Sequence, residues 1–212
     1  GGRRGSRGPS GRVPERKRDG NNFLAPQGSL KREGSWRATA ERNLDIVELV
    51  QRLEAEGRQA TPEEQAKIAK FTGWGASEIA QNLFPRNDSW AKPEWKALVE
   101  RRAKLMSDAE RDAAARSTQY AHYTSEEVIR GIWTALDGMG FKGGTLLEPG
   151  MGVGLFAAAA PKDTMERSRY TGIEYDPFTA KIAKQLFQRE NVIEGDYTKT
   201  KLPRDFFDAA IG

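Results

Sequence analysis

The sequence predicts an α/β protein in which a parallel sheet follows a small helical domain and a disordered basic tail. Residues 1–40 are rich in Gly, Arg, Ser and Pro and have almost no apolar periodicity. Residues 41–116 carry apolar side chains at helical spacing. From about Gly143 onward, short apolar strands alternate with helices, a pattern typical of a parallel sheet with crossover helices.

The tail of residues 1–40 accounts for the net positive charge of the chain. It contains ten Lys or Arg against three Asp or Glu, a surplus of +7, whereas the whole chain has a net charge of +4. The remaining 172 residues therefore carry −3. Such a tail can make salt-sensitive contacts with nucleic-acid phosphates, or it can be a solvated linker. A segment so poor in apolar residues is expected to be disordered.

The composition argues against several classes of protein. Cysteine is absent and His122 is the single histidine, so neither a disulfide framework nor a Cys- or His-based metal site is expected. No apolar stretch approaches the length of a signal peptide or a membrane span. We therefore expect a cytoplasmic protein with no metal and no membrane partner. No acidic or nucleophilic partner can be assigned to His122 from the sequence, so we do not expect it to be a catalytic base.

The middle of the chain is predicted to consist of several helices, whose first residues have recognisable capping patterns. A first helix carries the apolar stripe Leu44, Val47, Leu49, Val50 and Leu53. Thr61 and Ser107 each precede a glutamate by three residues, which is the pattern of a capping box. Other helices are predicted over Ala76–Leu83 and from Pro93. A later amphipathic helix is predicted to begin with a capping box formed by Thr124 and Glu127.

Four strands are predicted to form the parallel sheet. They are Thr145–Glu148, Tyr170–Glu174, Asn191–Glu194 and Phe207–Ile211, with helices over Leu155–Ala160 and Pro177–Phe187. Right-handed crossovers place the carboxyl ends of all parallel strands along one edge. Ligands bind at that edge, where the strand order reverses.

The turn after the first strand is the most informative segment. The strand ends in Glu148, and Gly150, Gly152 and Gly154 follow at alternate positions before a helix. This spacing differs from the Gly-x-Gly-x-x-Gly of dinucleotide-binding proteins. A carboxylate here would repel a pyrophosphate, whereas it suits a ligand with an ammonium and a sulfonium group, such as S-adenosylmethionine. The alternative is a tight strand-to-helix turn without a ligand.

Acidic residues also follow the next two strands. Glu174 lies twenty residues after Gly154, about the spacing at which a Rossmann-type sheet presents a carboxylate to ribose hydroxyls. Asp176 is predicted to cap the following helix, with Pro177 in its first turn. Asp196, after the third strand, is a candidate acceptor for the adenine amino group. The alternatives are a solvated strand end at Glu174 and an ordinary polar loop at Asp196.

In this order the motifs resemble those of adenine-specific DNA methyltransferases of the amino-methylating class. The resemblance covers residues 117–212 and rests on Tyr123-Thr124-Ser125, Glu148-Pro149 with Gly152, Gly154 and Phe156, then Glu174 and Asp196. Residues 71–76, Phe-Thr-Gly-Trp-Gly-Ala, and residues 120–125 also look like the large phage- and plasmid-borne methyltransferase–helicase proteins. Some of those proteins act in antirestriction.

The resemblance implies a cofactor-binding subdomain over residues 117–212. It implies that S-adenosylmethionine is the cofactor, that double-stranded DNA is the partner and that the exocyclic amino group of a flipped adenine is the acceptor. The cofactor contacts would come from Tyr123, Thr124, Glu148, Pro149, Gly150, Gly152, Gly154, Glu174 and Asp196. In this class an Asn-Pro-Pro-aromatic loop is catalytic, and it is expected after Gly212.

Without that loop, these 212 residues are expected to hold the cofactor and not to methylate. Two other interpretations stay open at this point. Methyltransferases that act on RNA bases or on glutamine side chains have the same cofactor-binding half and the same kind of loop. A non-catalytic nucleic-acid-binding or phage-defence protein with a vestigial cofactor fold is the other alternative.

Overall fold

The computed structural model describes residues 19–30, 34–117 and 124–212. The α-helices are α1 (Trp36–Ala55), α2 (Pro62–Ile68), α3 (Ser77–Leu83), α4 (Lys96–Leu105), α5 (Asp108–Ser117), α6 (Glu126–Gly138), α7 (Leu155–Ala158), α8 (Lys162–Glu166) and α9 (Pro177–Leu186). Single 3-10 turns lie at Asp88–Trp90, Pro93–Trp95 and Tyr197–Lys199. The strands are β1 (Thr145–Pro149), β2 (Arg169–Glu174), β3 (Asn191–Glu194) and β4 (Ala209–Ala210).

The four strands form one parallel sheet in the order β3-β2-β1-β4. The chain moves outward from β1 to β3 and then returns to place β4 on the other side of β1. This reversal creates a crevice at the carboxyl ends of the central strands, which is where ligands bind in such sheets. The predicted α/β fold with a parallel sheet is confirmed.

The strand boundaries agree closely with the prediction except at β4. Pairing with β1 is limited to Ala209 and Ala210, opposite Leu146 and Leu147. Phe207, which was expected to start the strand, lies outside it, and its ring packs edge to face against that of Phe206 with centroids 5.1 Å apart. The sequence pattern also missed α8, a short helix between α7 and β2.

Helices α1 and α2, which precede the sheet, pack against α9, the helix that joins β2 to β3. Helix α1 contacts α2, α3, α4 and α9, and its buried side chains continue into the apolar core of the sheet region. Gln65 of α2 joins the two parts, because its side-chain amide donates to the carbonyl of Gln185 at 2.9 Å. The predicted division at residue 117 stays a prediction, and the apolar core is continuous across it. No helix in the described parts of the chain is both long and apolar enough to span a membrane.

The prediction of disorder over residues 1–40 is too broad. The amide of Phe23 donates to the carbonyl of Leu186 at 2.8 Å, and that of Ala25 to the carbonyl of Ala158 at 2.7 Å. These carbonyls lie at the ends of α9 and α7, where the last turn of a helix leaves acceptors free. Residues 35–40 belong to α1 and its cap, Ser35. Residues 1–18 and 31–33 lie outside the described residues.

Most of the predicted helix caps are confirmed, with one correction. The Thr61–Glu64 and Ser107–Glu110 capping boxes are present. Helix α6, however, is capped by Ser125 and not by Thr124, because the hydroxyl of Ser125 accepts from the amide of Val128 at 3.4 Å. Thr124 is thereby left one residue before the cap.

Candidate functional site

A cavity of about 920 Å³ opens at the carboxyl ends of β1 and β2. Its walls come from three parts of the chain: the loop after β1, the segment joining β2 to α9, and the helices that precede the sheet. The lining residues include Gly73, Trp74, Ala109, Ala113, Arg116, Thr124, Ile129, Glu148, Pro149, Gly150, Met151, Gly152, Glu174, Tyr175, Asp176, Pro177 and Thr179. The cavity therefore lies at the crevice that the strand order creates.

The loop after β1 has a backbone that only glycine adopts readily. Gly150, Gly152 and Gly154 have φ angles of +70°, +56° and +83°. Two hydrogen bonds hold the loop against β2. The amide of Met151 donates to the carbonyl of Ile173 at 2.9 Å, and the amide of Gly152 donates to Oε2 of Glu174 at 2.8 Å. The loop is therefore a rigid floor of the cavity.

The three glycines differ in what surrounds them. A Cβ at Gly150 would meet no atom within 4 Å, so this residue opens onto the cavity. A Cβ at Gly154 would overlap the ring of Phe187, and Gly154 does not line the cavity. Met151 is buried, and its sulfur lies where a Cβ on Gly172 of β2 would stand. Gly154 is thus required for packing, while Gly150 leaves room for a ligand.

Glu148 places a buried carboxyl group in the cavity wall. Its side chain is 3% exposed, and Oε2 accepts a hydrogen bond from the hydroxyl of Tyr170 at 2.6 Å. Burial raises the pKa of Glu148 to about 8, although the hydrogen bond from Tyr170 acts in the opposite direction and Glu174 adds a smaller repulsion. At neutral pH the carboxyl group therefore holds a proton unless a cation lies beside it.

Glu174 joins the two loops that border the cavity. Its Oε2 accepts from the amide of Gly152 at 2.8 Å, and its Oε1 accepts from the amide of Asp176 at 2.7 Å. Each carboxylate oxygen can accept a second hydrogen bond. Burial raises the pKa of Glu174, and the two backbone amides partly offset that effect. Asp176 caps α9 as predicted, because its Oδ1 accepts from the amide of Thr179 at 2.7 Å.

Asp196 lies outside the cavity wall. Its Oδ1 accepts from the amide of Thr198 at 2.9 Å and from the hydroxyl of Thr198 at 2.6 Å, which caps the turn Tyr197–Lys199. These hydrogen bonds, together with Lys199, lower the pKa of Asp196. Of the other predicted site residues, Thr124 lines the cavity and Tyr123 lies outside the described residues. His122, which was not predicted to belong to the site, also lies outside them.

The part of the chain before the sheet forms a wall of the cavity that the sequence did not predict. Trp74 lines the cavity and packs edge to face against Phe71 and Phe84, with centroids 5.4 and 5.3 Å away. The buried side chain of Asn43 donates to the carbonyl of Gly73 at 2.7 Å and so holds this turn. The sequence signal for this wall is the segment 71–76, which takes part in the resemblance but has no motif that indicates a role.

Tyr175 and the cavity-facing residues of α5 were also not predicted from the sequence to belong to the site. Tyr175 directly follows Glu174, lines the cavity and is 76% exposed, so its ring is available to a flat ligand. Ala109, Ala113 and Arg116 line the cavity from α5. Their spacing of four and then three residues is a helical face, the one signal that could have identified them.

Residues 147–211 match the family model described as "Methyltransferase domain". The chain carries a methyltransferase domain. The match includes the glycine loop and Glu174, the residues that form the floor of the cavity. The fold is that of a Rossmann-like methyltransferase that depends on S-adenosylmethionine, and S-adenosylmethionine is the cofactor.

One similar solved structure is the methyltransferase subunit of a type I restriction-modification system from Streptococcus thermophilus. It is 17% identical, with a TM-score of 0.36, and the similarity covers 79% of this chain and 43% of that subunit. The chain thus spans less than half the length of that subunit. A search of curated proteins found no match.

The difference between the glycines can be tested by measuring stability. We expect Gly154→Ala to lower the free energy of unfolding by about 2 kcal/mol or more, because the new methyl group overlaps Phe187. Gly150→Ala is the matched control, since it has a similar φ and open space around it, and should lose about 1 kcal/mol from backbone strain alone. Urea unfolding measures both losses. Equal losses would show that the Phe187 contact is not the cause.

The buried carboxyl group of Glu148 should make stability depend on pH. Its pKa is raised from 4.5 to about 8 on folding, so its contribution is complete below pH 4.5 and is lost as the pH rises through 8. Glu148→Gln removes this titration. The unfolding free energy of the wild type, relative to this variant, should fall between pH 5 and pH 8 by up to about 1.4 kcal/mol per pH unit.

Glu194→Gln, at the exposed end of β3, controls for the loss of a carboxylate elsewhere. Urea unfolding at several pH values gives the unfolding free energy as a function of pH for the wild type, Glu148→Gln and Glu194→Gln. Wild-type and Glu148→Gln curves that stay parallel from pH 5 to pH 8 would contradict a raised pKa at Glu148.

Proposed function

We propose that this chain binds S-adenosylmethionine in the cavity at the ends of β1 and β2, as the cofactor-binding part of a DNA adenine methyltransferase. The observation that carries the proposal is the glycine loop lying between two acidic strand ends. Gly150 leaves open space, Glu148 lines the wall and Glu174 borders the same cavity. A ligand with both cationic groups and sugar hydroxyls suits this set of residues.

The proposal assigns each end of the cofactor to one part of the site. Glu148, Pro149, Gly150 and Gly152, with Thr124, would surround the methionine end, and the cofactor contact of Tyr123 stays a prediction from the resemblance. Glu174 would accept hydrogen bonds from the ribose hydroxyls. The contact of Asp196 with the adenine amino group stays a prediction from the resemblance, since its side chain caps the turn Tyr197–Lys199 outside the cavity wall. Gly154 would act indirectly, by letting α7 pack against Phe187.

Electrostatics supports the methionine end of this assignment. When bound, S-adenosylmethionine supplies an activated methyl group on a positively charged sulfur. A cation beside Glu148 favours the ionised carboxylate and would bring the pKa of Glu148 down from about 8. Tyr170 holds the carboxyl group in place by its hydrogen bond of 2.6 Å. Binding and loss of the Glu148 proton are therefore linked.

The choice of DNA adenine as acceptor rests on the order of the sequence motifs. The amino group of adenine is a weak nucleophile, because its lone pair is delocalised into the ring. Its protons need acceptors and the flipped base needs a stacking partner. The 212 residues contain no Asn-Pro-Pro-aromatic sequence. We therefore assign cofactor binding to these residues and methyl transfer to the full-length protein. A helicase partner domain and an antirestriction role stay predictions from the resemblance.

Cofactor binding can be tested by calorimetry with Glu174→Ala. This change removes an acceptor for ribose and the tie to Gly152, so we expect the Kd for S-adenosylmethionine to rise by about tenfold or more. Glu194→Ala is the matched control, because Glu194 lies opposite Glu174 in register but does not line the cavity. It should bind like the wild type.

An analogue that lacks the ribose 2′-hydroxyl distinguishes the loss of a ribose contact from a rearrangement of the loop after β1. The wild type should prefer the natural cofactor, and Glu174→Ala should lose that preference. Unchanged affinity in Glu174→Ala would remove Glu174 from the site. No binding of S-adenosylmethionine by a folded wild type would overturn the proposed function.

The acceptor can be identified with methyl-labelled S-adenosylmethionine. We expect the full-length protein to transfer label to double-stranded DNA, recovered as N6-methyladenine, and the 212-residue chain alone to transfer none. Label in RNA or in glutamine side chains would replace the DNA assignment. DNA binding that ignores the cofactor and disappears when residues 1–40 are deleted would favour a non-catalytic nucleic-acid-binding protein.

A further inference from the structure

Arg116 extends from one face of α5 towards the cavity. Ala109, Ala113 and Arg116 all line the cavity, at positions i, i+4 and i+7 of the helix. The two alanines let the helix approach closely, since they have no side chain beyond Cβ. Arg116, in the last turn, is the long side chain of this face.

Arg116 differs in charge from every other charged residue of the cavity wall. Among the described lining residues, the other charged side chains are those of Glu148, Glu174 and Asp176. Each carboxyl group has a hydrogen-bond donor within the protein. No ion pair of Arg116 exists within the described residues, and its side chain is exposed. A guanidinium group is therefore available to a ligand.

A second, smaller cavity distinguishes Arg116 from the two alanines. This space, of about 170 Å³, is lined by Ala109 and Ala113 together with Pro177 and Lys181 of α9, but not by Arg116. Of the three residues on this face of α5, Arg116 is therefore the one that lines only the larger cavity.

We propose that Arg116 binds the carboxylate of the amino-acid end of S-adenosylmethionine. This inference rests on the proposed function. The amino-acid end carries an ammonium group and a carboxylate, and Glu148 suits the first but repels the second. A guanidinium group pairs with a carboxylate through two parallel hydrogen bonds. The opposite charges of Glu148 and Arg116 thus match the two charges of the ligand and fix its orientation.

Calorimetry with two ligands tests this contact. We compare S-adenosylmethionine with its decarboxylated analogue, which keeps the adenosine, the sulfonium and the amine. Arg116→Ala should raise the Kd for S-adenosylmethionine by about tenfold and change that for the analogue by less than about twofold. Arg111→Ala is the matched control, because Arg111 lies on the same helix and pairs with Asp112 at 2.8 Å. It should change neither Kd.

Two outcomes would overturn the inference. Equal weakening of both ligands by Arg116→Ala would mean that the residue supports the wall without contacting the carboxylate. Unchanged binding of both ligands, with weaker binding of DNA by the full-length protein, would place Arg116 on a phosphate. No binding of S-adenosylmethionine by the wild type would instead be a failure of the proposed function, which separates the two proposals.

Discussion

The carboxylate of Glu174 holds the two halves of the cavity floor together. It accepts one amide from the loop after β1 and one from the turn that begins α9, at 2.8 and 2.7 Å. Both amides lie in turns and, within the described residues, form no hydrogen bond with the backbone of a neighbouring strand. Without this carboxylate they would either stay buried without an acceptor or have to be exposed to water. The floor of the site and the start of α9 therefore depend on one side chain. Under the proposed function that side chain also contacts the ligand, so binding and the order of the loop are coupled.

The sheet alone does not complete the site. Trp74, in the loop between α2 and α3, and the alanines of α5 also line the cavity, and both segments precede the sheet. Asn43 of α1 fixes the turn that carries Trp74. Because the apolar core is continuous between these helices and α9, the wall and the floor are parts of one packed unit. The cavity can therefore be shaped by residues more than seventy positions away from the glycine loop in the sequence.

Local patterns in the sequence predicted the features that depend on neighbouring residues. The alternation of strands and helices predicted the parallel sheet, and β3 has the predicted limits, Asn191–Glu194. The three glycines predicted the turn after the first strand, and its left-handed backbone depends on the residue type itself. Features that need distant partners were missed. Gly154 faces Phe187, Ala25 pairs with Ala158, and Arg116 meets the cavity only after α5 has folded against the rest.

The protonation of Glu148 links stability of the free protein to ligand choice. A buried carboxylate without a cation is costly, and the structure reduces that cost by keeping the group protonated and bonded to Tyr170 at neutral pH. A cationic ligand reverses this preference, because it supplies the missing charge in a site of low polarity. An anionic ligand would gain nothing there, and a neutral one would leave the proton in place. Under the proposed function, the burial of Glu148 thus discriminates in favour of a sulfonium and ammonium ligand before any shape complementarity is considered.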